Sequence, residues 1–569
     1  MADIFESMRK APFNLGPDQE AWVKETFAKM DLKAKVGQLF CLAARSNEEQ
    51  WVNDIFDICE PCGFMYRPMP IDSTIYFSEM LAKKATIPML IAADVEKGGN
   101  GLISDKGTLY GSPMCVAATG EAESAANLGD VCGAECEAIG GNWAFAPIID
   151  IDFNWRNPMT NIRTFGSDPK RVADFGAAYV KACQSHGVAT SIKHFPGDGR
   201  DERDHHLVTT VNDLSAEDWM ATYGAAYKAG IEAGSMTVMV GHIMQPAWTR
   251  KLCPGIADED IMPATLAPEL VNGLLRGELG FNGLTVTDAT TMNGFSACGP
   301  RSEIVPKTIA AGCDVFLFSK NLKEDFDYMM QGIEKGLLTM ERVDEAVLRI
   351  LGFKAALRLY EKKIPTIESA SAVVGCEKHH RLAKECADKA VTIVKEEKGV
   401  LPLTVEKYPR IMVYPVETVN GLPGYNPEGP TGAFIKKLEE KGFKVSVFEP
   451  KMGIEGRFMP STYVTDACDA IIYVANCPTK SNQTTVRITW QDPIGCNCPI
   501  YRHEKPTIFV SLENPYHLMD VPRIRTYINA YCATNETISA VIEKLMGESE
   551  FKGVSPVDPF CGRWDTHLN

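Results

Sequence analysis

The stretch Gly187-Val-Ala-Thr-Ser-Ile-Lys193-His194-Phe-Pro-Gly-Asp198-Gly-Arg-Asp-Glu-Arg-Asp204-His205-His206 changes character halfway along. An apolar run delivers a lysine and a histidine, a Pro-Gly break stops it, and a polar loop crowded with Asp and His follows. A short apolar run ended by Pro-Gly reads as a buried strand. Titratable groups on a loop fixed to the end of such a strand are where many enzymes keep their chemistry.

The same pattern repeats on either side. Apolar runs fall at 36–42, 63–66, 88–93, 142–147, 188–194, 236–242, 284–288 and 315–318. Amphipathic stretches at 121–139, 170–186, 216–233, 265–279, 302–311 and 323–338 separate most of them. Runs alternating with helices imply a parallel sheet, and eight of them predict a (β/α)8 TIM-type barrel. Asp94, Asp150, Lys193, His194, His242, Asp288 and Lys320 fall where the runs end, and a barrel gathers those ends around one mouth. A helix over 340–360, capped by Thr339, closes this part. A polar linker over 361–376 leads to a second alternation. Strands are expected at 391–394, 410–415, 444–448, 470–475, 507–512 and 526–532, with helices at 379–389, 432–441 and 537–546. This predicts an α/β/α sandwich domain over 377–569 after a catalytic barrel over 1–360. The irregular stretch 476–505, carrying Arg487, Trp490 and Asp492, is long enough to be functional. It is expected to reach the barrel mouth or a second copy of the chain, as in a homodimer.

The chain has 569 residues, 45% hydrophobic and 23% charged, with a net charge of −16. That balance disfavours nucleic acid and anionic membrane surfaces as partners. The first ten residues lack the apolar centre of a signal peptide, and no run is long enough to span a bilayer, so a cytoplasmic location is expected. The 18 cysteines are scattered. Cys59/Cys62 and Cys496/Cys498 are close pairs, but neither has a second pair at zinc-binding spacing, so free thiols are the expectation.

Asp288 ends the run Gly-Leu-Thr-Val-Thr-Asp. A carboxylate there can attack an anomeric carbon, as retaining glycoside cleavage requires; it can equally cap the next helix. Asp204 and His206 are two apart, so in an extended loop they share a side and the carboxylate can orient the ring. Imidazole titrates near ~6.5 and can both give and take a proton at neutral pH. By the same alternation His205 points the other way, as an incidental loop histidine. Lys193, His194, Asp94 and Arg163 are candidates to bind sugar hydroxyls. A metal held by His194, Asp198, His205 and His206 is the competing reading of the loop; the spacing matches no helical zinc pattern, so no metal is expected.

Together these segments resemble glycoside hydrolase family 3. Lys193-His-Phe-Pro-Gly197 followed by Asp204-His-His206 is similar to the Lys-His-Phe-Pro-Gly-His-Gly…Asp-Ser-His loop of its β-N-acetylglucosaminidase branch. Thr287-Asp288…Met292 resembles the family's nucleophile segment, and Asp94-Val-Glu-Lys-Gly-Gly its Asp-x-Glu-Gly-Gly-Arg segment. Asn161-Ile-Arg163-Thr-Phe-Gly resembles the substrate-arginine segment, and residues 391–403 the start of a second, sandwich domain. The resemblance implies that Asp288 is the nucleophile, that His206 oriented by Asp204 is the acid/base, and that Asp94, Arg163, Lys193 and His194 contact the substrate. It implies a retaining exo-β-N-acetylglucosaminidase, working on an amino-sugar glycoside without a cofactor. Alternatives are a phosphorylase using phosphate on the same site, a β-glucosidase, and a sugar-binding protein. Three departures stand out: Asp198 where the motif has its second histidine, His205 where it has serine, and Lys97 with Asn100 in the Asp94 segment.

Overall fold

The computed structural model describes residues 2–419, 422–449 and 458–568. The chain divides into two compact units. The first comprises Met1–Leu109, Ala125–Asn154 and Pro169–His380; the second comprises Tyr110–Ser124, Trp155–Asp168 and Arg381–Asn569.

The first unit is a parallel barrel. Its strands are β1 Phe40–Ala43, β2 Gly63–Met65, β3 Leu90–Ala93, β4 Trp143–Ala144, β5 Ala189–Phe195, β6 Thr237–Val240, β7 Leu284–Thr287 and β8 Phe316–Leu317. They pair in the order β8-β1-β2-β3-β4-β5-β6-β7. A parallel bridge between Val286 and Val315 brings the two ends of the order together. Every residue of β3, β5, β6 and β7 is buried. That is the state of a sheet covered by helices outside and packed with side chains inside.

The first apolar run divides differently from the expectation of a single strand. Residues Leu32–Gln38 form a helix, and the strand starts only at Phe40. The cause is local: the Asp31 side chain accepts from Ala34 N at 2.8 Å, a cap that commits the next turn to helix. The eighth run is a strand over only Phe316–Leu317.

In the second unit the strands are β9 Thr392–Lys395, β10 Arg410–Val419, β11 Leu422–Gly424, β12 Lys444–Val447, β13 Ala470–Asn476, β14 Thr507–Ser511 and β15 Thr526–Asn529. The order is β9-β15-β14-β13-β10-β11, with β12 also on β10. Alternate residues of β10 enter different cores: Ile411 and Val413 pack with Phe434 and Leu438, Met412 and Tyr414 with Tyr473 and Phe509. A sheet buried on both faces is the middle layer of a sandwich. On one face Phe448, Tyr414, Tyr473, Phe509 and Tyr527 stack in sequence across the strands, at ring distances from 4.2 to 5.9 Å. The irregular stretch after β13 is tied into this unit: Arg487 Nε lies 2.5 Å from Asp520 Oδ1, and Trp490 packs against the aromatic face.

Among the described residues, no helix is long and apolar enough to cross a membrane. Among the described residues, which include all 18 cysteines, no disulfide is formed.

Candidate active site

The site lies at the C-terminal end of the barrel strands, where β5 and β7 deliver their charged residues. Lys193 and His194 are on β5 itself. The buried Lys193 ammonium lies 3.1 Å from Asp94 Oδ1 and 2.8 Å from Glu96 Oε1, beyond β3. His194 Nδ1 lies 2.6 Å from Asp150 Oδ2, and its backbone N–H donates to Asp150 Oδ1 at 3.0 Å. The same Oδ1 accepts from Asp198 N at 2.8 Å, so one buried carboxylate, Asp150, fixes both the histidine and the turn after it. Burial would raise the Asp150 carboxyl, but His194 and two backbone N–H groups hold it below the usual range.

The turn after β5 is tightly built. Gly197 has φ +110°, and a Cβ there would meet the Tyr223 ring at 2.1 Å. Tyr223 OH donates to Asp198 O at 2.6 Å, and Trp219 Nε1 to Pro196 O at 2.7 Å. The chain then runs out to Asp204 and turns back, with Leu207 N and Val208 N both donating to Asp204 O. The Asp204 side chain is fully buried; its Oδ1 accepts from His206 N at 2.8 Å and lies 2.7 Å from His206 Nδ1. His206 keeps 26% side-chain exposure, and Nδ1 is the nitrogen tied to Asp204.

Asp288 follows β7. Its backbone N–H donates to Val240 O at 2.7 Å, and its Oδ1 accepts from Ala289 N at 2.6 Å. The loop bearing the histidines is clamped to the segment just beyond it: Asn293 N donates to His206 O at 2.9 Å. A Cβ on Gly294 would stand 2.2 Å from His205 O, so this approach requires glycine.

His205 corrects the sequence expectation. It does not point away into solvent; its side chain is completely buried between two carboxylates. Nδ1 lies 2.8 Å from Asp198 Oδ2 and Nε2 lies 3.4 Å from Asp288 Oδ2. These are ion-pair contacts, not aligned as hydrogen bonds. Its ring stacks on His206 at 5.0 Å and 19° and meets His194 edge-on at 5.2 Å. Thus His205 links Asp288 to His206 through one buried ring.

The charges follow from this packing. Burial alone would lower His205, but Asp198 and Asp288 outweigh it and raise the imidazole to about 10. Burial would raise Asp288, but His205 and His194 hold its carboxyl well below the usual range. His242, fully buried, is pushed down to about 4 and is neutral. Its Nε2 donates to Ala289 O at 3.1 Å, which steadies the peptide after Asp288.

One nitrogen each of His194 and His205 and one oxygen of Asp288 lie within 4.8 Å of one another, the group among the described residues able to hold an ion. This differs from the set weighed on the sequence. Asp198 sits on the Nδ1 side of the His205 ring, away from Asp288, and His206 is bonded to Asp204. Arg163 lies in the short helical turn Asn161–Arg163, within the segment that belongs to the second unit. The barrel therefore brings together Asp94, Lys193, His194, Asp204, His206 and Asp288. Glu96 was not singled out in the sequence, and Asp198 and His205 were weighed there only as metal ligands.

A strand-end carboxylate and an oriented imidazole, with a lysine and acids suited to hydroxyl groups, can carry glycosyl transfer to and from an aspartate. Residues 32–353 match the model of the glycosyl hydrolase family 3 N-terminal domain. The chain belongs to glycoside hydrolase family 3. It is 48% identical, over 98% of its length and 99% of the relative's, to a beta-N-acetylglucosaminidase/beta-glucosidase of Cellulomonas fimi. Beta-hexosaminidase A of Pseudoalteromonas piscicida is 31% identical over 56% of this chain and 55% of its own. Among solved structures, beta-glucoside phosphorylase BglX superposes with a TM-score of 0.93 at 44% identity, covering 99% of this chain and 100% of that one. A family 3 beta-N-acetylglucosaminidase from Paenibacillus sp. str. FPU-7 shares the fold at a TM-score of 0.78 and 24% identity, over 93% and 99% of the two chains. This family 3 protein is a glycoside-cleaving enzyme with a barrel followed by a sandwich.

Proposed function

We propose that the enzyme removes terminal β-linked glucosyl or N-acetylglucosaminyl residues with retention, and passes them to phosphate. Asp288 is the nucleophile and His206, oriented by Asp204, is the acid/base. Asp94, Lys193 and His194 bind the sugar hydroxyls. In the first step an Asp288 oxygen bonds to C1 while His206 imidazolium, through Nε2, protonates the departing oxygen. His206 is left neutral. In the second step an acceptor oxygen bonds to C1, Asp288 leaves as carboxylate, and His206 takes up the acceptor's proton where it carries one.

The observation that carries this reading is the 2.7 Å contact of His206 Nδ1 with the buried Asp204 carboxylate. It makes the exposed proton carrier an imidazole. A carboxylic acid in that role would become an anion after the first step and repel phosphate by about 4 kcal/mol at 4 Å and an effective dielectric of 20. Neutral imidazole imposes no such barrier. The similarity to beta-glucoside phosphorylase BglX, at 44% identity, supports the same acceptor. The name of the Cellulomonas fimi relative supports both sugar classes and keeps water as the second acceptor to test.

The test is turnover of aryl β-glucoside and aryl β-N-acetylglucosaminide with and without phosphate. Sugar 1-phosphate is expected as the main product, with a rate that rises with phosphate. Free sugar released at a phosphate-independent rate would return the enzyme to hydrolysis.

A further inference from the structure

The two departures from the loop motif, Asp198 for histidine and His205 for serine, are in contact in the folded chain, at 2.8 Å. The carboxylate at one position holds the imidazole at the other. The result is two Asp–His pairs side by side. The ring of the Asp204–His206 pair is partly exposed. Asp198–His205 is buried, and its Nε2 lies 3.4 Å from Asp288 Oδ2. The other oxygen of Asp288 accepts from Ala289 N. Each oxygen of that carboxylate thus faces a nitrogen of the protein.

We infer that His205, held by Asp198, is a positioning residue for Asp288 whose main effect is on the second chemical step, when the carboxylate leaves the sugar. The reason is the direction of charge movement. As Asp288 bonds to C1 it loses negative charge, so a neighbouring cation stabilises the starting state and does not assist attack. As the glycosyl–enzyme breaks, C1–Oδ cleaves and the electron pair returns to the carboxylate, and a buried imidazolium stabilises that developing charge. Burial makes the contact count, because little solvent screens it. With a phosphate acceptor the same cation offsets part of the acceptor's charge. The inference rests on Asp288 being the nucleophile.

The test uses His205→Gln, which keeps an N–H but loses the charge, and Asp198→Asn, which leaves the imidazole in place without its anchor. With a dinitrophenyl β-glycoside, whose departure needs no acid, kcat is expected to fall roughly tenfold to a hundredfold in both variants. On the same substrate kcat/KM, which reports the first step, is expected to change by less than about threefold, so that KM falls with kcat. A burst of dinitrophenol and accumulation of sugar on Asp288, read by intact and peptide mass, should accompany this. Equal falls in kcat and kcat/KM with no burst in either variant would overturn the inference, since a loosened loop harms both steps alike. Wild-type kinetics in both variants would overturn it too. If a 2-fluoro glycoside labels the wild-type enzyme elsewhere than Asp288, the nucleophile assignment itself fails and the inference falls with it.

Discussion

Asp288→Ala is expected to lower turnover of an aryl β-glycoside by at least about 10⁴-fold, the scale on which loss of a covalent nucleophile is felt. The fold should survive. Asp198 still pairs with His205 at 2.8 Å, so removing one carboxylate does not strand the buried imidazolium. Thermal unfolding of the variant should therefore match the native enzyme closely while activity is gone. Azide supplied in solution can enter the space the side chain leaves. It would attack C1 once, opposite the departing group, and give an α-glycosyl azide from a β-glycoside. The same environment predicts how the native nucleophile behaves in acid. Asp288 is held well below the usual carboxylate range by its histidine neighbours, so it stays ionised as the pH falls through the ordinary carboxylate range. Loss of activity at pH 4 to 5 should therefore reflect other groups, and labelling of Asp288 by a 2-fluoro glycoside should persist there.

The second large effect belongs to His206. For natural glycosides, whose leaving oxygen needs a proton, His206→Ala is expected to cost roughly 10²–10⁴-fold in kcat/KM. For a dinitrophenyl glycoside the first step needs no proton, and the loss in kcat/KM should shrink to a few-fold. Asp204→Asn should show the same leaving-group dependence in milder form. The ring stays, but its Nδ1 loses the anionic partner 2.7 Å away. A loss equal for both leaving groups would assign His206 to substrate binding.

Much of this site was legible in the chain because strand ends announce themselves. Lys193 and His194 stand just before a Pro-Gly break, and Asp288 ends a run of buried residues, so a barrel reading alone brings them to one mouth. Asp150 was visible at a strand end too, but its role in fixing both His194 and the turn to Asp198 depends on contacts across neighbouring strands. His205 was misread for a definite reason. Alternation of side chains holds for extended chain, whereas here Asp204 O accepts from both Leu207 N and Val208 N, so the chain is turning. In a turn successive side chains need not oppose each other, and the rings of His205 and His206 lie nearly parallel at 19°. The run 36–42 failed for a similar reason: apolar content is shared by buried helix and strand, and the deciding signal was the Asp31 cap. Arg163 shows another limit. Its segment, Trp155–Asp168, lies between barrel elements in the chain yet groups with the second unit, a tertiary choice that periodicity does not encode.

The most direct measurement is the configuration of the first product. Proton NMR of a β-glycoside turning over in phosphate, followed before any spontaneous change at C1, should show β-configured sugar 1-phosphate forming first. Two displacements at C1, with Asp288 bonded in between, require it. Initial formation of the α-anomer would mean a single displacement, with Asp288 never joined to the sugar, and would contradict the account.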